Sequence, residues 1–269
     1  MLGRALARAR ATAHAFLEDE CPFLAGAVAY QMFFALIPLL ALVIGALGFL
    51  YGPDRAAVQF GAILREIYPS ARDAETGIVR QLVDGRAISL GLGVVGTIFS
   101  ATAVFGTIDS ALAAVLGREG KRAFVRGKLA GLGFILALAA LAIVSFAGSL
   151  FAQAADAVLA SAPQSVTVLV SLLSQTLALV PGAAFFFAIY RLVPRRRVPT
   201  ETALRAAVVS AVLWEIAKVG FGALARRLGI FQAYGPLALA AGLLTWIYLT
   251  AAIVLIGAEL IKTERRARA

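Results

Sequence analysis

The sequence is poor in the side chains that most enzymes and metal sites use. Among 269 residues it has one cysteine, Cys21, and one histidine, His14. A disulfide within one chain and a metal site built from Cys and His are therefore excluded. The sequence also lacks a Ser-His-Asp set and a glycine loop ending in Gly-Lys-Ser or Gly-Lys-Thr. We expect no enzyme, no metal, no cofactor and no self-contained ATP-driven pump, with an intramembrane enzyme using carboxylates alone as the alternative.

Charged residues are also scarce. They make up 15% of the chain against 61% hydrophobic residues, where a soluble domain carries about 25% charged residues. Four long stretches contain no Asp, Glu, Lys or Arg: 21–53, 129–155, 157–190 and 228–258. Because about 20 apolar residues suffice to cross a bilayer as a helix, the sequence predicts an all-α, polytopic transmembrane helix bundle.

The apolar runs divide the chain into six spans within one membrane domain, 21–262. We place the spans at about 23–50, 87–116, 124–152, 165–192, 200–225 and 236–261. Residues 1–20 have helical apolar spacing and predict either an amphipathic cytoplasmic tail or a frayed end. Residues 54–86 carry five arginines and five acids and predict an extracytoplasmic amphipathic segment. Residues 263–269 form a basic cytoplasmic tail.

The positive charges predict the orientation of these spans. Seventeen of the 25 Lys and Arg residues fall on one side: in the amino tail, at 117–128, at 191–205 and at the carboxyl end. Seven fall on the other side, and Lys218 lies inside a span. The positive-inside rule puts the seventeen in the cytoplasm, so that both termini are inside. Because the basic residues flank apolar spans, they also explain the net charge of +10 without nucleic-acid binding.

The fifth span holds the strongest anomaly, Glu215 and Lys218 near its middle. Two central charges cost about 5 to 7 kcal/mol, and the eight Leu, Ile, Val and Phe residues of 206–225 return roughly 2.4 to 4.8 kcal/mol on the same scale. Because the residues are three apart, their side chains share one face, which must turn into the bundle or a wet cavity. Either they form an internal ion pair that orients the helix, or they line a polar pathway or a site for a charged headgroup or a proton. A third alternative is that they lie at the membrane interface.

Two further acids lie near the predicted cytoplasmic ends of their spans. Asp109 in span two is within reach of a partner such as Lys218 or a loop arginine, and we weigh a structural and a functional role equally. Glu259 in span six is predicted to form an interfacial pair with Lys262. Amphipathic side chains in or near the spans are predicted to be packing contacts or members of the aromatic belts.

Several segments together resemble the YihY/BrkB family of bacterial inner-membrane proteins. They are LAGAVAYQMFFALIPLL at 24–40, YRLVP at 190–194, LWEIAKVGFG at 213–222, YGPLA at 234–238, LTWIYL at 244–249 and GAEL at 257–260. The resemblance covers nearly the whole chain in the same order. It emphasises the following positions: Tyr30, Pro38, Trp214, Glu215, Lys218, Tyr234, Gly235, Trp246, Tyr248 and Glu259. The chain departs from many relatives at Gln31, where they carry Tyr, and at Gly117, where they carry Asn.

The resemblance implies a six-span inner-membrane protein. Some members carry the label ribonuclease BN, which we disfavour because the sequence offers no residues that would bind the metals or activate the water needed for RNA hydrolysis. Others are called virulence factors or are linked to export of amphiphilic compounds. We therefore expect a non-ATP-driven permease or lipid-handling protein whose partners are membrane lipids. The alternative is a structural or adaptor protein that docks an envelope protein partner through 54–86.

Overall fold

The protein is all-α. The computed structural model describes residues 2–52, 85–117, 179–228 and 237–266, and within these ranges the regular structure is helical, with no strand. The described helices, numbered here in chain order, are α1 (Leu2–Glu18), α2 (Cys21–Tyr51), α3 (Arg86–Leu116), α4 (Leu179–Leu192), α5 (Thr200–Leu228) and α6 (Ala238–Arg266). The predicted fold class is confirmed.

Four of the described helices are long and apolar enough to cross a membrane. The candidate spans are Cys21–Leu50, Ala87–Leu116, Thr200–Leu224 and Ala240–Arg266, with mean hydropathies of 2.6, 1.9, 1.6 and 2.0. They coincide with the first, second, fifth and sixth predicted spans. The third predicted span, the first half of the fourth and nearly all of segment 54–86 lie outside the described residues. The six-span count and the cytoplasmic placement of both termini therefore stay predictions.

Three of the described residues have positive φ, and each follows the end of a helix. Gly52 follows α2 with φ 80°, and Gly117 follows α3 with φ 87°, a position where glycine is preferred because it has no Cβ to clash. Glu20 lies between α1 and α2 with φ 52°. Its carbonyl oxygen accepts hydrogen bonds from the backbone N–H groups of Phe23 and Leu24 at 3.0 and 3.1 Å. The amino-terminal tail is thus helical up to a tight turn that leads directly into α2.

The described residues fall into two compact units. Unit 1 contains those of Met1–Ala25, Ile108–Gly220 and Leu249–Ala269. Its core is formed by apolar side chains of α3 to α6, among which Leu112, Phe186 and Leu255 are fully buried. The first part of α5 packs through small residues, since Ala203, Ala206, Ala207, Ser210 and Ala211 recur at helical spacing and are all buried.

Unit 2 contains the described residues of Gly26–Thr107 and Phe221–Tyr248. Within it α2 and α3 approach closely at glycines. A Cβ on Gly45 would lie 2.8 Å from the backbone nitrogen of Leu90, and one on Gly96 would lie 2.7 Å from the Cβ of Pro38. Helix α2 runs through Pro38 without a break, so this proline packs its ring where α3 has no side chain.

Helix α6 continues to Arg266, beyond residue 262, where the sequence analysis ends the membrane domain. Basic side chains at the last turn favour this extension because they face the negative end of the helix dipole. The hydroxyl of Thr263 donates to the carbonyl oxygens of Glu259 and Leu260, each at 3.0 Å. Most of the predicted basic tail is therefore part of the helix.

Candidate functional site

The charges in the middle of α5 form an ion pair on an aromatic ring. The Nζ of Lys218 lies 2.7 Å from Oε1 of Glu215 and 4.5 Å from the centre of the Trp214 ring. The indole N–H of Trp214 in turn donates to Oγ1 of Thr250 on α6 at 3.4 Å. A cation over an indole ring and beside a carboxylate is held from two sides, so Lys218 is positioned by its own helix.

This ion pair is not enclosed by the protein. The side chains of Glu215 and Lys218 are 31% and 40% exposed. Their neighbours Ile216 and Val219 are exposed apolar residues. On a helical projection the pair lies at the border between the packed face of α5, which contains Ala211, and its exposed apolar face. In a bilayer this border meets lipid, water or another protein.

Asp109 forms a buried ion pair with the loop after α4. Both Nε and Nη2 of Arg195 donate to Oδ2 of Asp109, at 3.0 and 2.7 Å, and the carboxylate is almost fully buried. This hydrogen bond and the charge of Asp109 raise the pKa of Arg195. Of the partners considered for Asp109, the loop arginine is the one observed. The pair ties the end of α3 to the connection between α4 and α5.

A second polar cluster joins the amino-terminal turn to α6. The Nζ of Lys262 is bonded to Oδ2 of Asp19 and lies 3.5 Å from Oε1 of Glu259. The thiol of Cys21 also points to Oε1 of Glu259, at 3.9 Å. Glu259 and Cys21 are both fully buried. The predicted pairing of Glu259 with Lys262 is present, and Glu259 is buried within the protein. Its position at the membrane interface stays a prediction.

The ammonium of Lys262 also sets the ionisation of Asp19. Burial alone would raise the pKa of Asp19, but hydrogen bonds with Lys262 and Glu259 and the charge of Lys262, with a smaller contribution from Arg266, lower it below its ordinary value. Asp19 is therefore a carboxylate at neutral pH. In the part of the chain that the structure describes, no group of three or more His, Cys, Asp or Glu side chains has the arrangement of a metal site.

The third buried polar contact holds α4, α5 and α6 together. The hydroxyl of Tyr190 donates to the carbonyl oxygen of Val254 at 2.9 Å and lies 2.8 Å from the hydroxyl of Ser210. Tyr190 and Ser210 are both fully buried. Gly257 makes room for them, because a Cβ at this position would overlap the hydroxyl groups of both. Tyr190 and Gly257 each lie within a motif of the sequence, whereas Ser210 lies in none, and no sequence pattern predicted their contact.

The remaining motif positions lie in unit 2 or outside the described residues. Tyr30 is exposed and packs its ring 4.6 Å from that of Phe34. Trp246 packs 5.3 Å from Phe221, and Tyr248 is exposed. Tyr234 and Gly235 lie outside the described residues. For these positions the structure shows aromatic packing, and their predicted functional roles stay predictions.

Gly117, one of the two departures from the family pattern, has a physical explanation. Its φ of 87° requires a residue that tolerates the left-handed region. Glycine does so best, and asparagine is the usual second choice at this position after a helix. The Asn that the resemblance implies for many relatives would therefore be compatible with the same end of α3.

The described fold and its buried polar contacts define a polytopic, all-α membrane protein. The profile of the family described as Virulence factor BrkB matches residues 12–269. The chain belongs to the Virulence factor BrkB family, as its motifs predicted.

Curated relatives are named UPF0761 membrane protein. The one from Pseudomonas aeruginosa is 30% identical over 262 residues, which cover 94% of this chain and 61% of the relative. Those from Cronobacter sakazakii and Halorhodospira halophila are 29% and 30% identical, covering 91% and 92% of this chain and 84% and 55% of the relatives. The chain thus spans about 61% of the Pseudomonas protein's length. No solved structure matches the chain.

The relatives' names give a membrane location and no activity. Together with the four long apolar helices, they identify the chain as a multi-pass protein of the bacterial inner membrane. The family is not a known enzyme family.

Proposed function

We propose that the protein handles lipid-like amphiphiles without using ATP and that the Glu215–Lys218 pair admits their headgroups to the membrane-facing side of α5. The observation that supports this proposal is an ion pair near the middle of a candidate span with about a third of each side chain exposed. Ionisable residues at this depth are expensive unless they meet water, a headgroup or another polar group.

A zwitterionic or anionic headgroup fits this pair chemically. Lys218 offers a cation to a phosphate, and Glu215 offers a carboxylate to an ammonium or hydroxyl group. The Trp214 ring contacts the ammonium of Lys218, so the polar surface formed by Glu215 and Lys218 exists before a lipid binds. A pre-formed polar surface lowers the barrier for a headgroup that must leave water, because part of its lost hydration is replaced.

Lipid exchange in proteoliposomes tests this proposal. The assay follows the loss of fluorescence of a headgroup-labelled lipid when a membrane-impermeant reductant is added outside. We expect wild-type protein to accelerate exchange over protein-free vesicles, and Glu215→Gln or Lys218→Met to slow it by about tenfold, equivalent to about 1.4 kcal/mol of barrier. The matched control is the exposed Glu201–Arg205 pair at the start of α5, where Glu201→Gln and Arg205→Met should leave exchange unchanged.

The double variant Glu215→Leu/Lys218→Leu separates a pathway from a structural pair. Replacing a purely structural ion pair with apolar residues is often neutral or stabilising, so exchange at the wild-type rate in this variant would refute the proposal. Wild-type protein that exchanges lipid no faster than empty vesicles would also refute it. In that case the adaptor hypothesis, in which 54–86 docks an envelope protein, would become the better one.

A further inference from the structure

A basic cavity lies at one end of unit 1. Its volume is about 710 Å³, within the range of about 300 to 1,000 Å³ that small-molecule sites occupy. Four separate parts of the chain supply its walls: the turn after α1, the end of α3, the loop before α5 and the last turns of α6. The wall residues that matter here are Asp19, Gly117, Arg196, Lys262, Arg265 and Arg266.

The charges around this cavity are unbalanced. Among the wall residues that the structure describes, Asp19 is the one carboxylate and four are cations. Lys262 is engaged by Asp19 and also contacts Glu259. Arg196, Arg265 and Arg266 add three more positive charges around the same space. Like charges brought together in a partly enclosed site repel one another and raise its affinity for anions.

The start of α5 adds to this positive field. Pro199 and Thr202 line the cavity, and α5 begins between them at Thr200. The first backbone N–H groups of a helix lack partners within the helix and carry the positive end of its dipole. Glu201 is the acid in this first turn, and its carboxylate is bonded to Arg205.

We propose that this cavity binds a phosphate group. Guanidinium groups and a helix start are the donors that bind phosphate oxygens in proteins, and basic pockets between membrane helices hold anionic headgroups. The volume exceeds that of a bare phosphate, so the site has room for the substituent of a phosphate ester. This site lies apart from the Glu215–Lys218 pair, and the proposal stands whether or not the protein moves lipid.

Calorimetric titration of the full chain in a neutral detergent tests the proposal with two probes. Glycerol 3-phosphate represents a soluble phosphate ester, and dihexanoyl phosphatidic acid represents a lipid headgroup. We expect Arg196→Gln and Arg265→Gln each to weaken binding by about tenfold, as expected for loss of a charge-assisted hydrogen bond. The matched control is Arg197→Gln, since Arg197 is exposed beside Arg196 and is not among the wall residues. It should change the affinity by less than about twofold.

The outcomes separate the two sources of phosphate. Equal affinity for both probes indicates a soluble phosphate ester, and binding of the lipid alone indicates a headgroup. The proposal would be overturned if wild-type protein bound neither probe. It would also be overturned if Arg197→Gln lost as much affinity as Arg196→Gln and Arg265→Gln. Arg196→Lys and Arg265→Lys keep the charge but lose the planar fork. We expect these lysine variants to bind with an affinity between those of wild type and the glutamine variants, so they test the proposal even if a glutamine variant misfolds. Wild-type affinity in all the lysine and glutamine variants of Arg196 and Arg265 would refute the proposal.

Discussion

The contact of Gly257 with Tyr190 and Ser210 predicts the effect of adding a single methyl group. In Gly257→Ala the new Cβ would lie 2.7 Å from Cζ of Tyr190 and would overlap the Tyr190 and Ser210 hydroxyl groups. Because Tyr190 and Ser210 are fully buried, neither side chain can move into solvent. The helices must separate, or the hydrogen bonds that join Tyr190 to Val254 and to Ser210 must break.

The opposing contributions give the size of this effect. Overpacking costs about 1 to 3 kcal/mol, and a buried polar group left without its partner costs about 1 to 3 kcal/mol. Replacing glycine with alanine inside a helix returns about 1 kcal/mol. The two costs less this return lower the free energy of unfolding by about 1 to 5 kcal/mol, and we expect the Tm in detergent to fall by on the order of 10 °C.

A matched control and a second-site change make this prediction sharp. Gly220 also lies inside a helix of unit 1, and a Cβ there meets nothing within 4 Å, so Gly220→Ala should leave the Tm unchanged or raise it. Tyr190→Phe removes the hydroxyl and frees the ring to tilt, so it should recover at least about 1 kcal/mol of the Gly257→Ala loss in a double-mutant cycle. Additive effects of Gly257→Ala and Tyr190→Phe on the free energy of unfolding would refute this reasoning. Equal Tm values for Gly257→Ala and Gly220→Ala would refute it too.

Three further predictions concern the polar contacts of unit 1. Asp109→Asn should lower the free energy of unfolding by about 1 to 3 kcal/mol because the buried pair is broken, and Arg195→Gln should add little to it; additive losses in thermal unfolding would contradict the pairing. The pKa of Asp19 is below its ordinary value of 3.8, so its bond to Lys262 stabilises the fold above that pH and is lost as the pH falls below it. Pepsin cleavage of the wild-type protein near the end of α1 should therefore rise as the pH falls below 3.8. The Asp19→Asn variant should be cleaved at a rate that does not depend on this titration. Glu20→Gly should raise stability by about 1 kcal/mol because it relieves the positive φ; a lower Tm would speak against strain at this turn.

Sequence reasoning predicted the features that depend on local composition and spacing. Uninterrupted apolar runs predicted the long helices, and the i, i+3 spacing predicted that Glu215 and Lys218 meet. The pair is conspicuous in the sequence because two charges stand in the middle of an apolar run. The spacing does not predict which way the face of α5 that carries Glu215 and Lys218 points, because this depends on which helices pack against α5.

Contacts between distant segments were beyond sequence reasoning. Glu259 contacts Cys21, which lies 238 positions away in the sequence. Helical spacing predicted only its pairing with Lys262, three residues away. For Asp109 the sequence offered two partners, and the structure selects Arg195, 86 positions away. The packing role of Gly257 could not be predicted for the same reason, because the side chains that it accommodates, Tyr190 and Ser210, lie on other helices.

Cross-linking with a lipid that carries a photoreactive group on its headgroup tests the central claim most directly. A second lipid with the same group at the end of its acyl chain is the matched probe, and mass spectrometry maps the adducts. We expect headgroup adducts on α5 around Glu215–Val219 in wild-type protein, and their loss in Glu215→Leu/Lys218→Leu while acyl-chain adducts remain. Acyl-chain adducts alone at this part of α5 in wild-type protein would contradict it, since they would mean that headgroups do not reach the Glu215–Lys218 pair.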